Sequence, residues 1–234
     1  MNLKKSILFC LLLISALNVS AEINDESKVS EACSDLASKQ RIKQRQDTCV
    51  KLASSGDAHT QAAVGIYFLG NHDYVTAKQW FSKAAAKGEP NAQNGLGYLH
   101  QFGYGVRQSR KTANDYFLKS AKQGNSDSQF WLGENLILSK DFKDGAYWTK
   151  QAAMNGSADA QFNLAILYRD GHGVREDVGY SYFWFTVAAT NGHQKSKELI
   201  DDLNAKLPKE VFEELRAFTQ RQLADCPNCI NKGQ

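Results

Sequence analysis

The motif with the most reactive side chains is Cys226-Pro227-Asn228-Cys229. Such a pair can form a redox centre, half of a metal site or a small disulfide. A catalytic redox pair normally begins a helix, whose positive end lowers the thiol pKa, whereas this pair follows a predicted helix. The sequence has no second C-x-x-C, and no nearby pair of histidines could complete four zinc ligands. We expect a structural disulfide, with inert thiols and redox or metal chemistry as the alternatives.

Other residues that could support catalysis are scattered. The five histidines stand at positions 59, 72, 100, 172 and 193. None is paired as a zinc-binding helix requires, and neither G-x-S-x-G nor the P-loop signature occurs. The glycine pairs at 103/105 and 171/173 lack the strand and third glycine of a dinucleotide site. We therefore expect no catalytic residue, no metal and no cofactor, and a chain that is not an enzyme.

Residues 1–21 are predicted to be a signal peptide that is cleaved after Ala21. The segment has a basic start at Lys4 and Lys5, an apolar run from residue 7 to 17, and a small-residue cleavage site ending at Ala21. The apolar run is shorter than the ~20 residues needed to cross a bilayer. We expect export to the periplasm or secretion, without stable membrane insertion after cleavage.

Composition describes an ordinary globular chain once this segment is removed. The 234 residues are 42% hydrophobic and 23% charged, which excludes collagen-like and wholly disordered classes. The net charge of +3 falls to +1 without Lys4 and Lys5, so composition gives no reason to expect a nucleic-acid partner. Four cysteines remain, Cys33, Cys49, Cys226 and Cys229, and an even number in an oxidising compartment favours disulfides.

An internal repeat organises the chain between these features. Glycines recur at spacings of 32, 36, 32 and 36, at Gly56, Gly88, Gly124, Gly156 and Gly192. Five residues after each of the first four comes a glutamine: Gln61, Gln93, Gln129 and Gln161. Eight residues before each of the last four stands an aromatic: Trp80, Tyr116, Trp148 and Trp184. Residues of the same type at the same position in each successive segment form columns when the segments are aligned, and such regularity predicts a repeat architecture.

Each unit is predicted to form two short helices. Glutamine, aliphatic and small residues at i, i+3 and i+4 share one face of the first helix, and the aromatic and two small residues share one face of the second. The repeating glycine is expected to end a helix with positive φ. The longer units differ by a loop insertion that contains Gly103-Tyr104-Gly105-Val106 or Gly171-His172-Gly173-Val174.

The combined pattern A-Q-x-x-L-G-x-x-Y, G-x-G-V and A-x-x-W-x-x-x-A-A-x-x-G resembles the Sel-1-like repeat, a relative of the tetratricopeptide repeat. Residues 160–165, the two G-x-G-V loops and residues 77–88 carry the resemblance. It implies an all-α fold, a right-handed α/α solenoid of helix-turn-helix repeats. The four repeats are expected at residues 57–88, 89–124, 125–156 and 157–192.

The flanking segments are expected to complete the array. Residues 22–30 are a short linker and residues 31–56 an N-terminal helix pair, in which Cys33 and Cys49 could form a disulfide across the hairpin, with two free thiols as the alternative. Residues 193–225 are predicted to be capping helices, since the last interface would otherwise expose apolar surface. Residues 226–234 form the C-x-x-C tail.

A solenoid of this kind implies a concave surface built from the first helix of each repeat. By analogy with related repeats, the side chains of this groove stand two and five residues before and after the aliphatic residue that follows each recurring glutamine by three positions, such as Leu96, Leu132 and Leu164. The candidate protein-binding residues are Asn94, Tyr98, Gln101, Phe130, Glu134, Phe162 and Arg169. Tyrosine, phenylalanine and arginine are residue types found in binding hot spots. The alternative is that Phe130, Phe162 and Ile166 belong to the core.

The resulting functional hypothesis is an exported, monomeric scaffold that binds a protein partner in its groove. One alternative is an immunity protein that neutralises a secreted bacterial toxin, a role known for exported Sel-1-like proteins. An alternative of another class is β-lactam binding or hydrolysis, as linked to cysteine-rich relatives. Those relatives have a cysteine pair in nearly every repeat, whereas residues 57–192 contain none.

Overall fold

The computed structural model describes residues 50–230, apart from Leu52, Ser55 and Pro227. The predicted signal peptide and linker lie outside the described residues, as do Cys33, Cys49 and most of the predicted N-terminal helix pair. The described part contains ten complete helices and no strand. None of those helices is long and apolar enough to cross a bilayer.

The helices follow one another with short connections. They are α1 (Ala58–Gly70), α2 (Tyr74–Ala85), α3 (Pro90–Phe102), α4 (Arg110–Ala121), α5 (Ser126–Leu138), α6 (Phe142–Met154), α7 (Ala158–Asp170), α8 (Val178–Thr190), α9 (Gln194–Lys206) and α10 (Lys209–Ala224). The first helices of the four repeats are thus α1, α3, α5 and α7, and the second helices are α2, α4, α6 and α8. The expectation of an all-α solenoid of helical repeats is confirmed.

Side chains at the N-caps fix where these helices begin. Asn125 Oδ1 accepts a hydrogen bond from the Ser128 backbone N–H at 2.9 Å, and Asp177 Oδ1 accepts one from Tyr180 at 2.9 Å. Each cap satisfies a backbone donor that has no partner within the helix. The hydrogen bond from Thr60 lowers the pKa of the capping carboxyl of Asp57.

The repeating glycines end the second helices in a left-handed backbone conformation, as predicted. Their φ angles are 112° at Gly56, 88° at Gly88, 90° at Gly124, 87° at Gly156 and 91° at Gly192. Residues with a Cβ rarely adopt these angles. The 32- and 36-residue spacing therefore reflects a backbone requirement that recurs at the end of each repeat.

The chain divides into two compact units, at residues 1–96 and 97–234. In the described part of the first unit, the ring of Phe81 on α2 packs against the glycines of the neighbouring first helices. A Cβ added at Gly65 would lie 2.5 Å from that ring, and one added at Gly95 would lie 2.6 Å from it. Phe81 is fully buried. Glycine is thus needed here for close packing.

The second unit repeats this packing, with Phe117 of α4 against Gly97 of α3. Phe117 is 0% exposed, whereas the preceding Tyr116 is only half-buried. The same holds for Trp148, which is half-buried beside the buried Thr149. The core column of the second helices is therefore the residue after the aromatic that recurs in the sequence.

The C-terminal part of the second unit packs on α8. Both α9 and α10 contact α8, and Leu199, Leu215 and Phe218 join its apolar core. The chain then turns at Cys226 and returns to α7, where Cys229 is completely buried. Cys226 and residues 228–230 are therefore part of the folded unit.

Candidate functional site

The second unit contains six of the seven predicted binding residues, on three successive first helices. We call Tyr98, Gln101, Phe130, Glu134, Phe162 and Arg169 the first-helix face. Arg169 is exposed and the other five are half-buried. Asn94, the seventh, is half-buried and belongs to the first unit.

Aromatic rings gather around Tyr98 at the end of α3. Its ring centroid lies 4.7 Å from that of Phe102 and 6.4 Å from that of Trp131 on α5, and Phe102 lies 5.4 Å from Trp131. Phe130 touches the same group, with its ring 5.3 Å from Trp131. Phe102 is nevertheless 39% exposed. The cluster is therefore packed internally and still presents ring surface to solvent.

Phe102 and Trp131 are not among the binding residues predicted from the sequence. The equivalent positions of the next repeats hold unrelated side chains, such as Asp170 in place of Phe102 and Asn163 in place of Trp131. Periodicity in the sequence indicates residues that recur in every repeat, and an aromatic that occurs once leaves no such pattern. The signal that could have found them is the local density of aromatic residues, with Phe102 between Tyr98 and Tyr104.

Gln101 is held by its neighbours in a network of amides. It exchanges two hydrogen bonds with Asn135, with Gln101 Nε2 to Asn135 Oδ1 and Asn135 Nδ2 to Gln101 Oε1 both at 3.0 Å. Asn135, which is 0% exposed, also donates to Asn114 Oδ1 at 2.7 Å. Buried amides of this kind need all their partners. Gln101 therefore joins α3 to α5 structurally.

The environment of Glu134 on this face changes the pKa of its carboxyl. Burial raises the pKa of its carboxyl, and the charge of Asp159 on α7 raises it further. Glu134 Oε1 accepts a hydrogen bond from Asn163 Nδ2 at 2.6 Å. The carboxylate is thus partly desolvated and held by a neutral donor.

Phe162 contacts both its own repeat and the next. Its ring stacks on His193 with centroids 4.3 Å apart and meets Phe185 edge-on at 5.6 Å. Phe162 also packs against the buried core around α8. His193 Nε2 in turn lies 3.7 Å from Asp159 Oδ1. Phe162 therefore contributes to the core as well as to the face.

Arg169 is engaged by the residue that follows it. Its Nε donates to Asp170 Oδ1 at 2.7 Å and its Nη2 to Asp170 Oδ2 at 3.0 Å. These hydrogen bonds lower the pKa of the Asp170 carboxyl. Arg169 therefore presents an ion pair to solvent. In the loop that follows α7, the ring of His172 stacks on that of Phe142, with the ring centroids 4.5 Å apart.

The C-x-x-C tail is fixed to α7 and α8 by its backbone. The Cys229 carbonyl accepts hydrogen bonds from Gln161 Nε2 at 2.7 Å and from Asn191 Nδ2 at 2.6 Å. Cys226 and Cys229 are paired, with their Cα atoms 5.4 Å apart. This placement supports a structural role for the pair, while the disulfide stays a prediction that intact mass can test.

The glutamines that recur in each repeat also have a structural role. Nε2 of Gln61, Gln129 and Gln161 each donates to the carbonyl oxygen of the residue eight positions earlier, at 2.9 Å, 3.2 Å and 2.9 Å. That carbonyl lies at the end of the preceding helix, where intrahelical donors are missing. The glutamine column therefore joins adjacent repeats and is not available for binding.

These helix pairs, with recurring glycines and glutamines between them, define an α-solenoid repeat protein. Residues 58–89, 90–125, 126–157 and 158–193 match the Sel1 repeat, so the chain belongs to the Sel1 repeat family. The resemblance noted in the sequence is thereby confirmed. Proteins of this family generally serve as scaffolds for protein interactions, and the fold is typically non-catalytic.

Known structures agree with this assignment. A Sel1 repeat protein from Oxalobacter formigenes superposes with a TM-score of 0.70 at 21% identity, covering 86% of this chain and 89% of that one. The protective antigen c5321 of uropathogenic Escherichia coli gives a TM-score of 0.52 at 22% identity, covering 90% and 57%. At these identities the similarity shows the fold alone.

Among proteins similar in sequence is the alginate biosynthesis protein AlgK of Azotobacter vinelandii, 31% identical over 125 residues, covering 51% of this chain and 26% of that protein. Another is HRD3B of Arabidopsis thaliana, a component of an ERAD-associated E3 ubiquitin-protein ligase, 28% identical over 135 residues, covering 55% and 16%. The matched regions span only about a quarter or less of these relatives.

Proposed function

We propose that this protein is an exported, non-enzymatic scaffold that binds a protein partner on its first-helix face. The observation that carries the proposal is the aromatic cluster at this face. Tyr98, Phe102 and Trp131 come from two adjacent first helices, and Phe102 keeps ring surface in solvent. Exposed aromatic surface anchored by packed neighbours is typical of the central residues of protein interfaces.

Two further observations support this function. The recurring glutamines and glycines are used in packing, which leaves the side chains that vary between repeats for recognition. HRD3B is by name a component of a larger protein assembly, as expected if Sel1 repeats organise other proteins. Export rests on the predicted signal peptide at residues 1–21, and we propose the periplasm or the extracellular space as the location.

Affinity capture tests the proposal. The mature chain is immobilised and exposed to a periplasmic extract of its own organism, and the captured proteins are compared between wild type and two variants. Tyr98→Ala removes the centre of the aromatic cluster, whereas Tyr147→Ala removes a tyrosine that is 55% exposed on α6, a second helix. We expect Tyr98→Ala to reduce capture of a specific partner and Tyr147→Ala to leave it unchanged.

Circular dichroism at the assay temperature must show that both variants are folded. Equal capture by wild type and Tyr98→Ala would contradict binding at this face. A protein retained equally by both variants and by an unrelated helical protein would be non-specific and would not count as a partner.

A further inference from the structure

Charge is distributed unequally between the first and second helices of the second unit. The first helices α5 and α7 carry four acidic residues and one basic residue: Asp127, Glu134, Asp159, Asp170 and Arg169. The second helices α4, α6 and α8 carry five basic residues and two acidic ones: Arg110, Lys111, Lys119, Lys143, Lys150, Asp115 and Asp144. The acidic side chains of these repeats therefore concentrate on α5 and α7, two of the three helices that provide the first-helix face, while α3 has none.

The basic residue on these first helices does not neutralise the acidic ones around Glu134. Arg169 is held in a two-point contact by Asp170, as described above. Within the described part of the chain, no lysine or arginine forms an ion pair with Glu134, Asp127 or Asp159. A partner side chain that carries positive charge would therefore meet carboxylates whose charge is not already balanced by Lys or Arg.

The aromatic cluster lies beside these carboxylates. Trp131 and Glu134 are three residues apart on α5, so their side chains share one side of the helix. The faces of aromatic rings attract ammonium and guanidinium groups, and arginine stacks on them well. A surface that combines exposed aromatic rings with carboxylates favours arginine and lysine side chains over neutral or acidic ones.

The environment of Glu134 supports the same conclusion. Burial and the charge of Asp159 raise the pKa of its carboxyl, which means that the hydrogen bond from Asn163 does not fully compensate the ionised form in the free protein. A cation placed next to this carboxylate would supply such an interaction. Binding of a cation and ionisation of Glu134 should therefore favour each other.

We propose that the first-helix face of the second unit binds a partner segment that carries arginine or lysine side chains between apolar residues. The aromatic cluster accepts the apolar and guanidinium groups, and the carboxylates of Asp127, Glu134 and Asp159 accept the positive charge. This inference rests on the function proposed above and specifies the chemistry of the partner. Electrostatic complementarity of this kind selects partners and accelerates their association.

Fluorescence anisotropy with two labelled peptides tests the inference. In the first, arginine alternates with leucine and glycine, and in the second citrulline replaces every arginine. Citrulline keeps the shape of the side chain and most of its N–H donors, but a carbonyl oxygen replaces one nitrogen and the charge is removed. We expect the arginine peptide to bind at least about tenfold more tightly, and its affinity to fall with added salt. Equal affinity for the two peptides would overturn the inference.

Two double variants with the same change in net charge show whether the acidic face is responsible. Asp127→Asn with Glu134→Gln removes charge from the first turn and middle of α5, and Asp144→Asn with Asp115→Asn removes it from the first turn of α6 and the middle of α4. We expect the first variant to bind the arginine peptide at least about fivefold more weakly than wild type and the second to bind normally. Equal weakening of both would show non-specific attraction and contradict the inference.

The results separate this inference from the proposed function. If both peptides bind equally and Tyr98→Ala weakens the binding of both, the face binds peptides without selecting for charge. The proposed scaffold function is then supported, and the inference about basic partners is wrong. If the arginine peptide does not bind at all, the inference is also wrong. The affinity capture with the Tyr98→Ala and Tyr147→Ala variants then tests the proposed scaffold function independently.

Discussion

Substitution of Gly97 by alanine tests whether the small residues of the first helices are required for packing between helices. A Cβ at this position would lie 2.5 and 2.6 Å from two ring atoms of Phe117 and 3.1 Å from a third. Phe117 is fully buried, so its ring cannot move into solvent. The added methyl group therefore forces α3 and α4 apart or strains the Phe117 side chain.

The expected magnitude is a balance of two effects. Overpacking a well-packed core costs about 1–3 kcal/mol. Replacing glycine by alanine within a helix contributes up to ~1 kcal/mol of stabilisation. We expect Gly97→Ala to lower the free energy of unfolding by about 1–2 kcal/mol, which corresponds to a fall in Tm of about 2–8 °C for a chain of this size.

A matched control separates helix propensity from packing. Gly70 is the last residue of α1, and a Cβ added there would have no neighbour within 4 Å. Gly70→Ala should therefore raise the free energy of unfolding by about 0.5 kcal/mol. Both variants are measured by urea denaturation, followed by circular dichroism.

The contact with Phe117 can be tested directly by a double-mutant cycle. In the double variant Gly97→Ala with Phe117→Leu, the smaller side chain leaves room for the methyl group. The loss in the double variant should be smaller than the sum of the single losses by at least about 1 kcal/mol. Additive losses, or a Gly97→Ala protein as stable as Gly70→Ala, would refute close packing at this glycine.

Three other predictions concern titration, the glutamine column and processing. Glu134→Gln should increase the free energy of unfolding above pH 7 because Gln keeps the hydrogen bond from Asn163 and removes a charge whose ionisation the fold disfavours. This gain should shrink as pH falls towards 4.5, the ordinary pKa of glutamate, since the wild-type carboxyl is then increasingly protonated in both the folded and the unfolded state. The measurement is urea denaturation at several pH values, and a gain in the free energy of unfolding that increases at acidic pH would refute the prediction. Gln161→Ala removes the side-chain donor to the Ala153 and Cys229 carbonyls and should cost about 1–3 kcal/mol in the same denaturation assay, so an unchanged midpoint would contradict the role of the column. The non-reduced intact mass should correspond to a chain that begins at Glu22 and has lost four hydrogens, and a full-length mass would contradict cleavage after Ala21.

The parts of the fold that the sequence predicts are those that every repeat needs in the same form. Gly88, Gly124 and Gly156 recur because each ends a helix at positive φ. Gln129 and Gln161 recur because each satisfies the end of a preceding helix. Such requirements are repeated in sequence and can be found by alignment of the chain with itself.

The core column of the second helices was harder to predict. Its members are Phe81, Phe117, Thr149 and Phe185, all buried, and a threonine interrupts the aromatic pattern. The preceding column of Trp80, Tyr116, Trp148 and Trp184 is more regular, although only Trp184 is buried. Adjacent positions on a helix differ by only ~100° in direction, so periodicity alone does not decide which one faces the core.

The candidate site was only partly predictable, for a different reason. Tyr98 and Phe130 were identified by their position in the repeat, but the contacts that define their surroundings join residues far apart in sequence. Gln101 and Asn135, for example, are 34 residues apart and form a closed amide pair. This pair gives the predicted binding residue Gln101 a structural role as well, and no equivalent position in the other repeats indicates it.

One position of the repeat holds residues of different chemical type in the second unit, namely Tyr98, Glu134 and Ile166. These residues occupy the same position in three repeats, ten residues after the repeating glycine, and all are half-buried. Most positions that pack between repeats hold similar residues, as in the glycine and glutamine columns, because each repeat meets its neighbours in the same way, although Thr149 replaces a phenylalanine in the core column. An aromatic, an acidic and an aliphatic side chain at one position satisfy no common packing requirement, although Ile166 itself packs against the apolar core. We therefore expect this column to determine which partner binds, because its side chains can differ while the repeats stay in register.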